Sequence, residues 1–260
     1  MRDLELTFLG TGTSHGIPVI GCQCRVCTSG DPRDKRLRSA VLLRSPEAIV
    51  AIDTPPDFRT QCLREGVTQL DAVLYTHSHT DHILGFDDLR RFCEMEDKTM
   101  PIYAAPRTLA DLRRIFAYAF GEPHHVRTYI RPQAFEVTGP FEVADLTVEP
   151  VDLPHGRMVT TGLVISAGGR KRLAYFTDCQ AVPEEAVAKA RGAELLVLDA
   201  LRHAEHSTHL TLRAAIEASE RISPQQTLFI HMCHEIGHAE TQESLPEGIG
   251  LAYDGLRITI

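Results

Sequence analysis

No apolar run in this sequence is long enough to cross a bilayer; stretches such as Leu195 to Leu198 fall far short of the roughly 20 residues a membrane helix needs. The opening residues Met1-Arg2-Asp3-Leu4-Glu5 are polar, so no signal peptide is expected, and the chain reads as cytoplasmic, with no membrane partner. Positive charge is scarce too. The 27 Lys and Arg stand against 35 Asp and Glu, a formal net charge of −8, and no Lys/Arg-rich block occurs. Such a chain gains no general attraction to polyanions, so a large nucleic-acid partner is not expected, while a small anion held by metals remains compatible. Internal repeats, low-complexity tracts and linkers are absent. With 43% hydrophobic residues, the 260 residues suffice for one large core, and a single domain over 1–260 is expected. A homodimer is left open. An even complement of cysteines is also missing: there are seven, three of them crowded at Cys22, Cys24 and Cys27. In a chain without a signal peptide, such crowding beside many histidines points to metal rather than to disulfides. The scattered Cys62, Cys93, Cys179 and Cys233 read as buried thiols.

What is present is mostly β-periodicity with helices between. Alternation at Leu4, Leu6 and Phe8 predicts a strand running into the turn-rich Gly10-Thr11-Gly12-Thr13-Ser14. Strands are expected at 40–43, 48–52, 72–75, 141–143, 146–148, 163–166, 173–176, 195–198 and 227–230. Helices are expected at 87–96, 107–119, 183–191 and 210–222, and Asp254-Gly255 carries a hairpin signal. Strands that cluster early and then recur with helices in each half fit an α/β fold of two packed sheets covered by helices.

The densest chemistry lies in Thr76-His77-Ser78-His79-Thr80-Asp81-His82, directly after the strand ending at Tyr75. Side chains alternate in an extended segment, so His77 and His79 point the same way and can share a cation. Asp81 and His82 follow where the chain enters a helix and can turn toward a second. Neutral imidazole and carboxylate are ligand types that zinc and manganese accept. Further candidates sit just past other apolar β-runs: His155, Asp178 and His231, the last in competition with His234 and His238.

The run His77-Ser78-His79-Thr80-Asp81-His82 resembles the HxHxDH signature of metallo-β-lactamase-fold hydrolases. That resemblance implies a four-layer αββα sandwich and two catalytic divalent metals, Mn or Zn. It assigns His77, His79 and His155 to one metal and Asp81, His82 and His231 to the other, with Asp178 bridging. Asp53 is either a carboxylate that orients a ligand histidine or a strand-end turn residue.

Cys22-Gln23-Cys24-Arg25-Val26-Cys27 supplies three thiolates, one ligand short of a closed tetrahedral zinc site. Together with His231 and His234 it resembles the PhnP-like phosphodiesterases of the carbon–phosphorus lyase pathway, where the second such histidine completes a structural zinc site. The segments Leu9 to Ser14, Ile52-Asp53 and Ala252 to Leu256 look like the same branch, and the resemblance covers nearly the whole chain. Its weakest stretch, Glu122 to Val137, is where substrate contacts are expected. Pro55-Pro56-Asp57 departs from the family, which commonly has glycine there.

The resemblance implies hydrolysis of small, often cyclic, phosphodiesters by a hydroxide bridging two cations, with Asp81 and Asp178 essential to it. His209, just before a predicted helix, matches a catalytic histidine of the PhnP-like branch and is expected to act as general acid or phosphate clamp. The start of that helix near Leu210 could also aim N–H groups at an anion. His203 and His206 read as loop histidines. Rival readings are a tRNA 3′-end nuclease, a thioesterase or lactonase using the same metals, and a non-enzymatic carrier like the coenzyme-PQQ synthesis protein PqqB, which has a similar cysteine run.

Overall fold

Leu6 and Phe8 of strand β1 (Glu5–Gly10) face one way and Leu9 the other, and this two-residue period recurs through two seven-stranded sheets. The computed structural model describes residues 4–121 and 130–260. The first sheet holds β1, β2 (Ala40–Arg44), β3 (Ile49–Ile52), β4 (Ala72–Tyr75), β5 (Met100–Ala104) and β6 (Pro132–Glu136) in that order, with β14 (Arg257–Thr259) beyond β1. The second runs in chain order through β7 (Phe141–Val143), β8 (Leu146–His155), β9 (Met158–Ala167), β10 (Arg170–Phe176), β11 (Leu195–Asp199), β12 (Gln226–Ile230) and β13 (Ile249–Leu251).

Inward residues of both sheets, among them Leu43, Val50, Leu74, Leu173, Val197 and Leu228, form one central core. Outward residues of the first sheet pack under α1 (Phe58–Glu65), α3 (Arg90–Glu96) and α4 (Pro106–Ile115). Those of the second pack under α6 (Glu184–Ala190) and α7 (Leu212–Ile222). Central strands covered on both faces carry near-continuous apolar sequence, and each fully buried Leu or Val adds about 1.5–3 kcal/mol. The architecture is the αββα sandwich. No helix among the described residues is long and apolar enough to cross a membrane.

Strand direction sets where the chemistry collects. β2 is antiparallel to β1 and β3, and β4 is parallel to β3, so β1, β3 and β4 end at one edge. β9 is antiparallel to β8 and β10, and β11 is parallel to β10 and β12, so β8, β10, β11 and β12 also end together. Ligands in α/β folds bind beyond such carboxyl ends.

Several local expectations are corrected. Asp254-Gly255 is not a hairpin: β13 lies in the second sheet and β14 in the first, so the turn crosses between sheets. Asp254 takes part by accepting hydrogen bonds from Leu37 N and Thr11 Oγ1, both at 2.8 Å. The helix expected at 87–96 is present, but it starts as a 3₁₀ turn (Phe86–Leu89) before becoming α3, and a separate one-turn α2 (Thr80–Ile83) precedes it. α2 is separated from that turn at Gly85, where a Cβ would lie 2.3 Å from Pro55 O and 2.6 Å from Phe58 Cβ; only glycine permits that approach. The helix expected at 107–119 ends at Ile115 and resumes as α5 (Ala117–Phe120), yet Leu109, Leu112 and Phe116 are buried on one face as their spacing requires. β8 and β9 are each ten residues long, far beyond the short strands expected. The predicted thiols Cys62, Cys93, Cys179 and Cys233 are all buried.

Candidate metal centre

β4 delivers Thr76 to His82 at the shared edge. Nε2 of His77 lies 3.0 Å from Nδ1 of His79; two nitrogens bound to one zinc at about 2.0 Å each sit roughly 3.3 Å apart. His155, the last residue of β8, adds a third ring, its centroid 5.1 Å from that of His79. The chain then turns into α2, which sets His82 on the other side of His77, ring centroids 4.2 Å apart, with Asp81 beside it. Nε2 of His82 is 3.5 Å from Asp81 Oδ2, and Nε2 of His231 is 3.7 Å from the same oxygen. Asp178, just past β10, stands between the groups. Its Oδ1 is 3.3 Å from His82 Nε2, and its Oδ2 is 3.4 Å from His231 Nε2 and 3.7 Å from His77 Nε2. Ligand atoms of His77, His79, His155 and Asp178 lie within 4.8 Å of one another, as do those of Asp81, His82, Asp178 and His231.

The residues fit a pair of divalent cations. Nε2 of His82 and Nε2 of His231 are buried and make no hydrogen bond. Such an orphan costs about 1–3 kcal/mol, which a coordinated cation would remove. Burial holds His77 well below the usual imidazole range and lowers His79 and His155, favouring the neutral form that metals take. His82 shifts the other way: burial opposes its charge, but Asp178, Asp81 and Asp53 outweigh it. A proton there balances the same carboxylates that a cation would balance.

The backbone is bent to present these groups. Asp53, Asp178 and His231 have φ of 65°, 52° and 57°, left-handed values that side chains rarely adopt and that cluster at functional sites. Asp53 is an orienting carboxylate: its Oδ2 accepts from His82 Nδ1 at 2.8 Å and from Thr76 Oγ1 at 2.7 Å. Ser78 Oγ donates to Asp111 at 2.6 Å, fastening the motif to α4. His155 Nδ1 donates to Thr208 O at 2.8 Å. Asp57, in the departing loop, accepts from Arg38 and stays outside the site.

His209 stacks on His231 at 4.7 Å and meets His155 edge-on at 4.7 Å, and its Nδ1 lies 2.8 Å from Asp199 Oδ2. Burial works against charge on His209, but Asp199 outweighs it and raises its pKa. The sequence reading missed Asp199, the buried last residue of β11, whose Oδ2 also accepts from Cys179 N at 3.1 Å. It follows an apolar β-run just as Asp178 and His231 do, and the same reasoning applied to Leu195–Leu198 would have found it. His203 and His206 are exposed. Helix α7 begins at Leu212 rather than near Leu210, and the Thr211 side chain caps it by accepting from Ala214 N, so the expected anion-binding N–H groups are partly taken. The site opens into a cavity of about 370 Å³. Of the stretch expected to contact substrate, residues 122–129 lie outside the described residues.

Beside this centre, His234 Nδ1 is 3.2, 3.5 and 3.7 Å from the Sγ atoms of Cys22, Cys24 and Cys27. A tetrahedron with Zn–S near 2.3 Å and Zn–N near 2.0 Å has an edge of about 3.5 Å, so the four residues fit a structural zinc. The Cys27 N–H draws the Cys24 thiol down to about 6, while burial pushes the Cys27 thiol up to about 11, so a cation would have to displace the Cys27 proton. His238, the other candidate, is buried elsewhere against Tyr253. Cys24→Ser is expected to remove about one zinc per chain and to lower Tm by about 5–10 °C while leaving the catalytic-pair metal in place. Unchanged zinc content on elemental analysis would dismiss this site.

Comparison with known proteins places this geometry. A family model described as a beta-lactamase superfamily domain matches residues 49–232. A crystal structure of a new diphosphatase from the PhnP family superposes with a TM-score of 0.91 at 39% identity, covering 100% of this chain and 98% of that one. An octanoyltransferase of Porphyromonas gingivalis is 38% identical over 99% of the chain, which spans 52%, about half, of that protein's length. Coenzyme PQQ synthesis protein B of Methylorubrum populi is 29% identical over 75% of the chain and 72% of its own. Human tRNase Z, short form, shares the fold at TM-score 0.72 and 19% identity, covering 98% of both chains.

Proposed function

The chain belongs to the β-lactamase superfamily and, within it, to the PhnP family, and from that footing we propose that it is a metal-dependent phosphodiesterase acting on small phosphodiesters. Cyclic ones such as phosphoribosyl 1,2-cyclic phosphate or 2′,3′-cyclic nucleotides are the expected substrates. The observation that carries this reading is two sets of ligand atoms sharing Asp178, with a carboxylate-held histidine against both.

His77, His79 and His155 would hold one divalent metal, Zn or Mn, and Asp81, His82 and His231 the other, with Asp178 between them. Such a pair supplies charge neutralisation on phosphoryl oxygens and a water acidified toward neutral pH. Asp53 fixes the tautomer and tilt of His82 from behind. His209 offers a proton to the departing alkoxide: with Nδ1 committed to Asp199, its Nε2 is the atom left for substrate. Asp199 holds that ring through its Oδ2, while its Oδ1 stands 3.8 Å from His231 Nδ1, beyond hydrogen-bond reach.

Acyl chemistry is the second reading, favoured by the octanoyltransferase relative. The same metals would act on a thioester or lactone carbonyl. A panel on metal-reconstituted protein separates the two: cyclic ribose phosphates, cyclic nucleotides, bis(p-nitrophenyl) phosphate, a thioester and precursor tRNA. Turnover of the small phosphodiesters alone supports the proposal. Turnover of the thioester alone would replace it with acyl hydrolysis, and cleavage of precursor tRNA alone with nuclease action.

A further inference from the structure

β8 and β9 are joined by the two residues Gly156 and Arg157, with His155 paired to Met158. Gly156 has φ of +62° and Arg157 does not share that sign, the pattern of a hairpin turn with glycine at its first central position. The tip is firmly seated. Gly156 N donates to Gln180 Oε1 at 2.9 Å, and a Cβ at Gly156 would lie 2.7 Å from Thr208 Cγ2. The backbone of Arg157 is therefore fixed two residues from His155 and against the loop that carries His209.

Among the described residues, nothing in the fold uses the Arg157 side chain. The turn needs no arginine at its second position, and the guanidinium is exposed, with no ion pair and no side-chain hydrogen bond among the described residues. Yet Arg157 lines the catalytic cavity, and among the described lining residues it is the one permanent cation. In a protein of net charge −8, an anion approaching this cleft meets an unfavourable overall field. A free guanidinium at the mouth reverses that locally, and its planar fork matches two oxygens of a phosphoryl group.

We propose that Arg157 is a substrate-binding residue that grips a non-bridging phosphoryl oxygen and selects anionic phosphodiesters over neutral acyl substrates. This rests on the phosphodiesterase reading. Binding of an oxyanion tests it even if that reading fails.

The experiment uses metal-reconstituted wild type, Arg157→Ala and Arg157→Lys, with bis(p-nitrophenyl) phosphate as substrate and inorganic phosphate as calorimetric ligand. In Arg157→Ala, KM and the phosphate Kd are expected to rise together by about 10- to 100-fold, the worth of a charge-assisted hydrogen bond. The kcat is expected to change little, and metal content not at all. Arg157→Lys, a point charge without the fork, is expected to recover part of the loss. Unchanged KM and phosphate Kd in Arg157→Ala would overturn the proposal. So would a loss of metal, which would make the residue a support for His155 instead. If wild type turns over only the thioester, the phosphodiesterase reading fails, and phosphate affinity alone then decides for or against Arg157 as an oxyanion grip.

Discussion

Asp178→Ala is expected to lower kcat on a cyclic phosphodiester by orders of magnitude and to empty at least one of the two catalytic metal positions. Asp178 faces His82 and His231 on one side and His77 on the other at 3.3–3.7 Å, so its removal takes an anionic ligand from both sets at once. The charge balance explains the size of the effect. Asp178 is buried, and burial would raise its pKa, but His231 and His82 outweigh that and hold it well below the usual carboxylate range. Alanine leaves those imidazoles facing one another with less negative charge to hold a cation. Asp81→Ala is expected to weaken only the set containing His82 and His231, with a smaller loss of metal. Elemental analysis beside single-turnover rates measures both. Near wild-type turnover by Asp178→Ala would be incompatible with a shared ligand.

His209→Ala is expected to cost about 10²–10⁴-fold on a cyclic ribose phosphate, the usual worth of a positioned acid, and much less on bis(p-nitrophenyl) phosphate. A sugar alkoxide is a poor leaving group that needs its proton; p-nitrophenolate leaves without one. Asp199→Asn keeps the shape of the carboxylate but weakens its hold on Nδ1 of His209, so a smaller loss with the same leaving-group dependence is expected. Metal content should stay constant in His209→Ala, which distinguishes an acid from a ligand. An equal loss on both substrates would point to phosphate clamping. No loss on either would remove His209 from the mechanism.

The gathering of these candidate ligands at one edge was legible because the residues follow a local rule. His77 and His79 share a face through two-residue alternation, and His155, Asp178 and His231 each stand at or just past an apolar β-run. The sandwich was legible for the same reason: Leu6 and Phe8, Val41 and Leu43, Leu173 and Tyr175 declare one face each. Other elements give weaker local signals. β6 is a largely exposed edge strand, Pro132 to Glu136, without an inward apolar period. α1 was overlooked because Phe58 and Cys62 are the few apolar anchors in an otherwise polar eight-residue helix. β5 alternates buried and half-buried residues but contains Pro101, which demotes a strand when read alone. The Asp254-Gly255 error has a different origin. Turn chemistry says that the chain reverses, not which sheet receives it, and here Asp254 is tied to Thr11 and Leu37 of the first sheet's loops. The resemblance gives His231 to the metal pair and His234 to the cysteines, and the placement agrees: His231 stands directly after β12, His234 faces the cysteines, and His238 is buried away from both.

The most direct measurement is turnover of a 2′,3′-cyclic nucleotide by chelator-stripped protein as Zn or Mn is added back, with bound metal counted at each step. The expected result is no hydrolysis in stripped protein, then activity that rises as the catalytic pair fills and stops rising once both positions are occupied. A thioester included in the same assay should remain intact throughout. Hydrolysis of the nucleotide by fully stripped protein, or metal-dependent cleavage of the thioester with the nucleotide untouched, would contradict a metal-dependent phosphodiesterase.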